Sequence, residues 1–221
     1  MANFETARRN MVDCQLRTNR LVDVALIDAF GEIPREQFVP QEMQSIAYVD
    51  EDVPIGDGRF LMEPMVFARI LQELAITPGD IVLDVGCGTG YSSAILSRLA
   101  ATVVALECDQ RLAALSNDLL TSLSADNAIV VEGPLAEGYP KQGPYDVIWI
   151  GGAVAEIPSG LSDQLAEGGR LAAVIASGNN DAGPGEAQLM LKRNGIVSKR
   201  VLFDANVPRL PGFQSNMGFV F

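Results

Sequence analysis

Two carboxylates, Asp84 and Glu107, close two apolar runs, and between them lies a turn with glycine at alternate positions, Gly86, Gly88 and Gly90. A carboxylate at a strand end can hold an ammonium group or a pair of hydroxyls, and glycines bring the backbone up to a ligand with no Cβ in the way. The dinucleotide fingerprint is G-x-G-x-x-G. Here the third glycine comes one residue early and Tyr91 stands where that pattern needs glycine, giving D-x-G-x-G-x-G from Asp84. S-adenosylmethionine has no phosphates and carries a zwitterionic amino acid, which suits a carboxylate beside a close-packed turn. The expected site therefore places Asp84, Gly86, Cys87, Gly88 and Gly90 at the methionine moiety and Glu107 on the ribose hydroxyls. A turn that only packs strand on helix, with Glu107 solvated, is the alternative.

The elements that must position these residues follow from periodicity. Ile81 to Val85 is apolar and β-branched like a strand covered on both faces, and Ser92 to Ala100 continues as a helix with Ile95, Leu96 and Leu99 on one side. Val103 to Leu106 is the next strand. A helix over Gln110 to Leu123 follows, then strands at Ala128 to Val131 and Val147 to Ile150. A short helix near Leu161 to Leu165, a turn at Glu167-Gly168-Gly169 and a strand from Leu171 to Ile175 complete a parallel series. Gln188 to Lys192 and Ile196 to Phe203 flank Asn194-Gly195, a strong hairpin signal. Ser177 to Glu186, rich in Gly, Asn and Asp, reads as a loop.

Upstream, Val22, Leu26, Ala29 and Phe30 recur at helical spacing, with Gly31 as the residue past the helix end and Pro34 as a stop. Pro54 to Gly58 reads as a loop. Pro64 opens a helix whose Val66, Phe67, Ile70, Leu71 and Leu74 form one stripe. The expected fold class is α/β: a Rossmann-like, mostly parallel, doubly wound sheet ending in an antiparallel hairpin, with an N-terminal helical layer. Residues 1–60 form that layer and a substrate loop, and residues 61–221 the cofactor-binding unit, packed together as one body.

Composition narrows the chemistry. The chain has 221 residues, 48% of them hydrophobic, enough for one substantial core. It contains no histidine, which excludes Ser-His-Asp and Cys-His systems and His-based metal sites. A net charge of −12 with no basic stripe argues against a nucleic-acid partner. No apolar run reaches the roughly 18 residues of a membrane span, and the first ten residues lack the order of a signal peptide, so a cytoplasmic location is expected. Cys14, Cys87 and Cys108 lack C-x-x-C spacing and read as free thiols, with Cys87 and Cys108 buried at adjacent strand ends.

Further motifs carry a family resemblance. Met11 to Arg17, Ile33-Pro34-Arg35-Glu36-Gln37-Phe38-Val39-Pro40, Ala47-Tyr48, Pro54-Ile55-Gly56, Tyr145-Asp146-Val147-Ile148 and Gln164 to Leu171 appear in that order. The chain thereby resembles the protein-L-isoaspartate O-methyltransferases among the class I S-adenosylmethionine methyltransferases. The resemblance implies methyl transfer from S-adenosylmethionine to the isoaspartyl carboxylate of damaged proteins, as a repair reaction. Such a carboxylate is already a nucleophile at neutral pH, so no general base is needed and positioning is the main contribution.

The resemblance is incomplete on the substrate side. Where the family reads Gly-Gln-Thr-Ile-Ser-x-Pro, the chain has Gly58 to Pro64, so Met62 stands at the family's serine. A thioether cannot donate a hydrogen bond to a carboxylate, and Glu63 beside it repels one. Arg59 either replaces the lost carboxylate recognition or is a solvated surface residue. Gly133-Pro134-Leu135 stands at the family's Gly-Asp-Gly on the adenine edge, keeping Gly133 and losing the carboxylate, and Gly151-Gly152-Ala153 replaces Thr-Ala-Ala. A methyltransferase for a different acceptor and a silent cofactor-binding module are the two other readings.

Overall fold

The computed structural model describes residues 3–176 and 185–213. Helix α1 (Phe4–Asn10) starts where the Asn3 side chain accepts from the Thr6 N–H at 3.1 Å, and widens into π-type turns over Met11–Leu16 that bury Met11, Val12 and Leu16. Helix α2 (Val24–Glu32) is capped by Asp23, whose side chain accepts from the Leu26 N–H. Two expectations fail here. Gly31 lies inside α2, because the helix runs to Glu32 and ends only where Ile33 turns extended ahead of Pro34. Val22 precedes the helix and is 74% exposed, so it is no part of the buried stripe.

The segment expected as a loop from Pro54 to Gly58 is half of a hairpin. Strands β1 (Val53–Gly56) and β2 (Arg59–Leu61) pair antiparallel, and Asp57 and Gly58, at φ 50° and 70°, form the turn between them. Asp-Gly is the pair that a two-residue turn with positive φ at both positions favours. Helix α3 (Pro64–Leu74) then begins on Pro64 and buries Val66, Phe67, Ile70, Leu71 and Leu74, as its spacing requires.

The main sheet has the order β5-β4-β3-β6-β7-β8-β9. Its parallel part comprises β3 (Ile81–Val85), β4 (Thr102–Glu107), β5 (Ala128–Glu132), β6 (Tyr145–Val154) and β7 (Leu165–Ala176). Antiparallel β8 (Gly185–Arg193) and β9 (Ile196–Ala205) finish it around Asn194 and Gly195, both at positive φ. Three boundaries move. Strand β6 runs on through Gly151 and Gly152, and Glu167-Gly168-Gly169 is an irregularity inside β7 instead of a turn before it. Of the expected loop from Ser177 to Glu186, Gly185 and Glu186 already belong to β8, while 177–184 lie outside the described residues.

Alternation along the strands feeds two cores. Val82, Val103, Val147 and Trp149 face one side, packed with α2, α3 and α4 (Tyr91–Ser97) and with Leu112 and Leu120 of α5 (Gln110–Ser122). Leu83, Val85, Val104, Leu106, Ile148 and Ile150 face the other, packed with Leu161 of α6 (Ser159–Asp163) and with Leu210 and Phe213 of the tail. The N-terminal helices and the sheet thus share the first core. No helix among the described residues is long and apolar enough to cross a membrane.

The chain runs outward from β3 through β4 to β5, then returns to place β6 on the other side of β3. Such a switch point opens a crevice at the carboxyl ends of the strands, where ligands of open α/β sheets bind. The glycine turn leaves β3 into it. Gly90 is the tightest position: at φ 95°, a Cβ on it would collide with Ser116 Oγ of α5. Gly90→Ala is expected to lower stability by at least about 1 kcal/mol, read as a shift in the thermal melt. A variant that melts with the parent would show that α5 retreats freely.

Candidate functional site

Asp84, next to last in β3, lies on the face that carries Trp149, its register partner on β6, and it is fully buried. Its Oδ2 accepts from the hydroxyls of Ser92 and Ser93 in the first turn of α4, both at 2.6 Å. Its Oδ1 is buried with no partner. Burial pushes the Asp84 pKa up to about 6, the two serine hydrogen bonds opposing and the Glu107 charge adding to the rise. An orphaned carboxylate oxygen beside a glycine turn is a ready acceptor for an ammonium group.

Glu107 ends β4, one strand away, also fully buried. Backbone N–H groups of Gly88 (2.8 Å), Cys108 (2.8 Å) and Asp109 (3.1 Å) donate to it. The Arg59 guanidinium grips it from β2, Nη1 to Oε1 at 2.5 Å and Nη2 to Oε2 at 2.9 Å. Burial disfavours the ionised carboxylate, but Arg59 and the N–H donors outweigh it and hold the Glu107 pKa below the usual range. Arg59 is therefore not a solvated surface residue: it is 6% exposed, and its guanidinium is paired with Glu107.

The turn itself is covered by the protein's own side chains. A Cβ on Gly86 would meet Leu210 of the tail at 2.9 Å, and one on Gly88 would meet Ile55 of β1 at 2.9 Å. The tail is held there by the Ala153 N–H, which donates to Pro208 O, and the Leu210 N–H, which donates to Ala153 O, both at 2.9 Å. What is left is a cavity of ≈ 30 Å³ between Ile55, Phe60, Met62, Phe67, Tyr91 and Trp149. That is small beside the roughly 300–1,000 Å³ of small-molecule sites.

Met62 is 8% exposed and lines this cavity. Its carbonyl accepts from Nη2 of Arg35 at 2.8 Å, while Nε of the same guanidinium donates to Ala47 O at 2.6 Å. Arg35, fully buried against the Tyr91 ring, thus ties the Met62 loop to the N-terminal layer. Glu63, beside Met62, has its pKa pushed up to about 7, by burial first and then by the charges of Asp52, Asp50 and Glu51. Gly133 follows β5, and its N–H donates to Glu107 O at 3.0 Å. Cys87 is buried as expected, whereas Cys108 is exposed, since β4 has ended and the chain turns outward to α5.

The structure brings Asp84, the three turn glycines, Cys87 and Glu107 into one crevice. Ser92, Ser93, Trp149, Ile55 and Leu210 also stand in it and were not singled out from sequence. The Ser92-Ser93 pair, at the start of the helix after the turn, was a readable signal for donors to Asp84. Leu210, more than a hundred residues downstream of the turn it covers, carried none.

Residues 7–204 match the family model "Protein-L-isoaspartate(D-aspartate) O-methyltransferase (PCMT)". The chain is 40% identical over 214 residues to the protein-L-isoaspartate O-methyltransferase of Koribacter versatilis, a match covering 97% of this chain and 95% of that one. A solved protein-L-isoaspartate O-methyltransferase superposes with a TM-score of 0.80 at 26% identity, over 93% of this chain and 67% of the other. A β-aspartate methyltransferase (PCMT) structure from Plasmodium falciparum, in complex with S-adenosyl-L-homocysteine, has the same fold at a TM-score of 0.77 and 23% identity, over 96% of this chain and all of that one. Because the family model spans residues 7–204 and a relative is 40% identical over nearly the whole chain, the chain belongs to the protein-L-isoaspartate O-methyltransferase family and is an S-adenosylmethionine-dependent methyltransferase of isoaspartyl proteins.

Proposed function

We propose that Asp84 and the turn from Gly86 to Gly90 hold the methionine moiety of S-adenosylmethionine, that Glu107 holds its ribose hydroxyls, and that Gly133 borders its adenine. The observation that carries this reading is the unpartnered, fully buried Oδ1 of Asp84 at the switch point of the sheet. When bound, S-adenosylmethionine supplies an electrophilic methyl group on a sulfonium. The chain's own residues do the rest: Asp84 neutralises the ammonium, the glycines admit the backbone, and the apolar wall of Phe67, Tyr91 and Trp149 excludes water. The isoaspartyl carboxylate needs no base to attack, in keeping with a chain that has no histidine.

The acceptor side of this reading is the β1–β2 hairpin with Met62, opposite the tail segment from Val207 to Leu210. Substrates are proteins or peptides that present an isoaspartyl residue, met in the cytoplasm. Support for that location comes from Cys14, Cys87 and Cys108, all free thiols. The net charge of −12 supports a partner other than nucleic acid.

The test is transfer of radiolabelled methyl from S-adenosylmethionine to an isoaspartyl peptide, with the matched aspartyl peptide and a protein extract in parallel. Label on the isoaspartyl peptide alone is the expected outcome. Label only in the extract would point to a different acceptor, and no label anywhere to a silent cofactor-binding module.

A further inference from the structure

Glu107 has five N–H groups on it, three from the backbone and two from Arg59. An ionised carboxylate offers about four lone-pair sites, so no acceptor capacity remains for a ribose diol. Subtracting Arg59 leaves the three backbone donors, two on Oε1 and one on Oε2, and opens an acceptor site on Oε2 to which a ribose hydroxyl can donate. The guanidinium therefore occupies the place of a ribose hydroxyl.

We infer that Arg59 is a latch that holds the ribose site shut, and that S-adenosylmethionine enters when the β1–β2 hairpin lifts this guanidinium off Glu107. The inference rests on the reading of Glu107 as the ribose partner. The same hairpin carries Ile55, which fills the space over Gly88, so one displacement clears both the carboxylate and the turn. The hairpin is a separate two-stranded sheet, with no ladder to the seven-stranded one. At its tip Asp57 pairs with Arg111 of α5 at 2.5 Å, but both side chains are more than half exposed, so this pair holds it weakly. The hairpin's buried attachments are the Arg59–Glu107 pair and the apolar side chains of Val53, Ile55 and Leu61, which join the first core. Arg59 Nη2 also donates to Gly86 O at 3.2 Å, tying the latch to the first glycine of the turn.

The experiment is calorimetric titration of the full chain with S-adenosylhomocysteine, for the parent, Arg59→Gln, Arg59→Lys and the double variant Arg59→Gln/Glu107→Ala. Arg59→Gln is expected to bind about tenfold tighter or more, because the ligand no longer displaces a charge-assisted bidentate partner. Arg59→Lys, with one point contact in place of the fork, should fall between it and the parent. Adding Glu107→Ala to Arg59→Gln should lose about tenfold or more relative to Arg59→Gln, since no latch is then left to offset the lost ribose contact.

If the double variant binds like Arg59→Gln, the ribose reading fails and the latch with it. If the double variant binds more weakly than Arg59→Gln while Arg59→Gln does not tighten over the parent, the latch alone is overturned. Should Arg59→Gln fail to fold by thermal melt, the parent decides by stopped flow, using the fluorescence of Trp149, the single tryptophan and a wall of the cavity. A latch makes the observed rate level off with ligand concentration, since opening becomes limiting. A rate that stays linear to the highest concentration overturns it.

Discussion

Asp84→Asn is expected to be more stable than the parent at pH 7, equal to it near pH 4, and at least tenfold weaker for S-adenosylhomocysteine. The stability effect follows from linkage. The Asp84 carboxyl titrates at about 6 in the folded protein and at about 3.9 in an unfolded chain. Between those values the native state holds a proton that the unfolded state has released, so stability falls as pH rises through the window. The full shift corresponds to about 3 kcal/mol at most, at about 1.36 kcal/mol per unit. Asparagine has nothing to ionise and loses this slope. Glu63, also raised, contributes a slope of the same sign up to about 7, so the quantity to measure is the difference between variant and parent in denaturant melts from pH 4 to 7. A difference that does not change with pH would mean that Asp84 titrates normally.

The binding effect has the opposite sense. The ionised Asp84 is what an α-ammonium needs, so parent affinity should fall as pH drops below about 6, and the variant should be weak at every pH. A charge-assisted contact is worth about 1.5–3 kcal/mol, which is tenfold or more. Arg59 and Glu107 are the charged groups nearest this carboxyl, and Ser92 and Ser93 its hydrogen-bond donors. Stability gained where affinity is lost marks Asp84 as a group kept for its ligand.

Met62→Ser is expected to raise turnover on an isoaspartyl peptide about tenfold or more while lowering the melting temperature. The cost comes from removing a buried side chain that touches the cavity between Phe67 and Trp149, where large-to-small changes lose about 2–5 kcal/mol. The gain comes from a hydroxyl that can donate to the acceptor carboxylate, and every 1.36 kcal/mol of transition-state contact is about a factor of ten. Glu63 modulates it: with a pKa near 7 it is neutral below that pH and repels the acceptor above it. Activity should therefore rise as pH falls from 8 to 6, and Glu63→Gln should flatten that profile. Robust parent activity that drops in Met62→Ser would show that the acceptor carboxylate is recognised by another route.

The sequence by itself determined the order of elements, the strand–turn–helix at Asp84 and the hairpin at Asn194-Gly195. Each rests on a local rule: period-2 burial, positive φ at glycine, and turn chemistry within a few residues. The acidic residues at the ends of β3 and β4 were legible for the same reason, because adjacent parallel strands end at one edge. Some local signals were also passed over, as Asp57-Gly58 shows by making a hairpin of an expected loop.

What only the tertiary structure decided is what those residues touch. Arg59 reaches Glu107 across 48 positions of sequence, and Leu210 lies on Gly86 from the far end of the chain. No periodicity encodes such pairs. A buried carboxylate takes whichever cation the packed hairpin delivers within hydrogen-bond reach, and that depends on how β1 and β2 lie over the sheet. For the same reason an arginine that reads as a surface residue or a substrate fork in sequence is, once packed, the counter-ion of a buried glutamate.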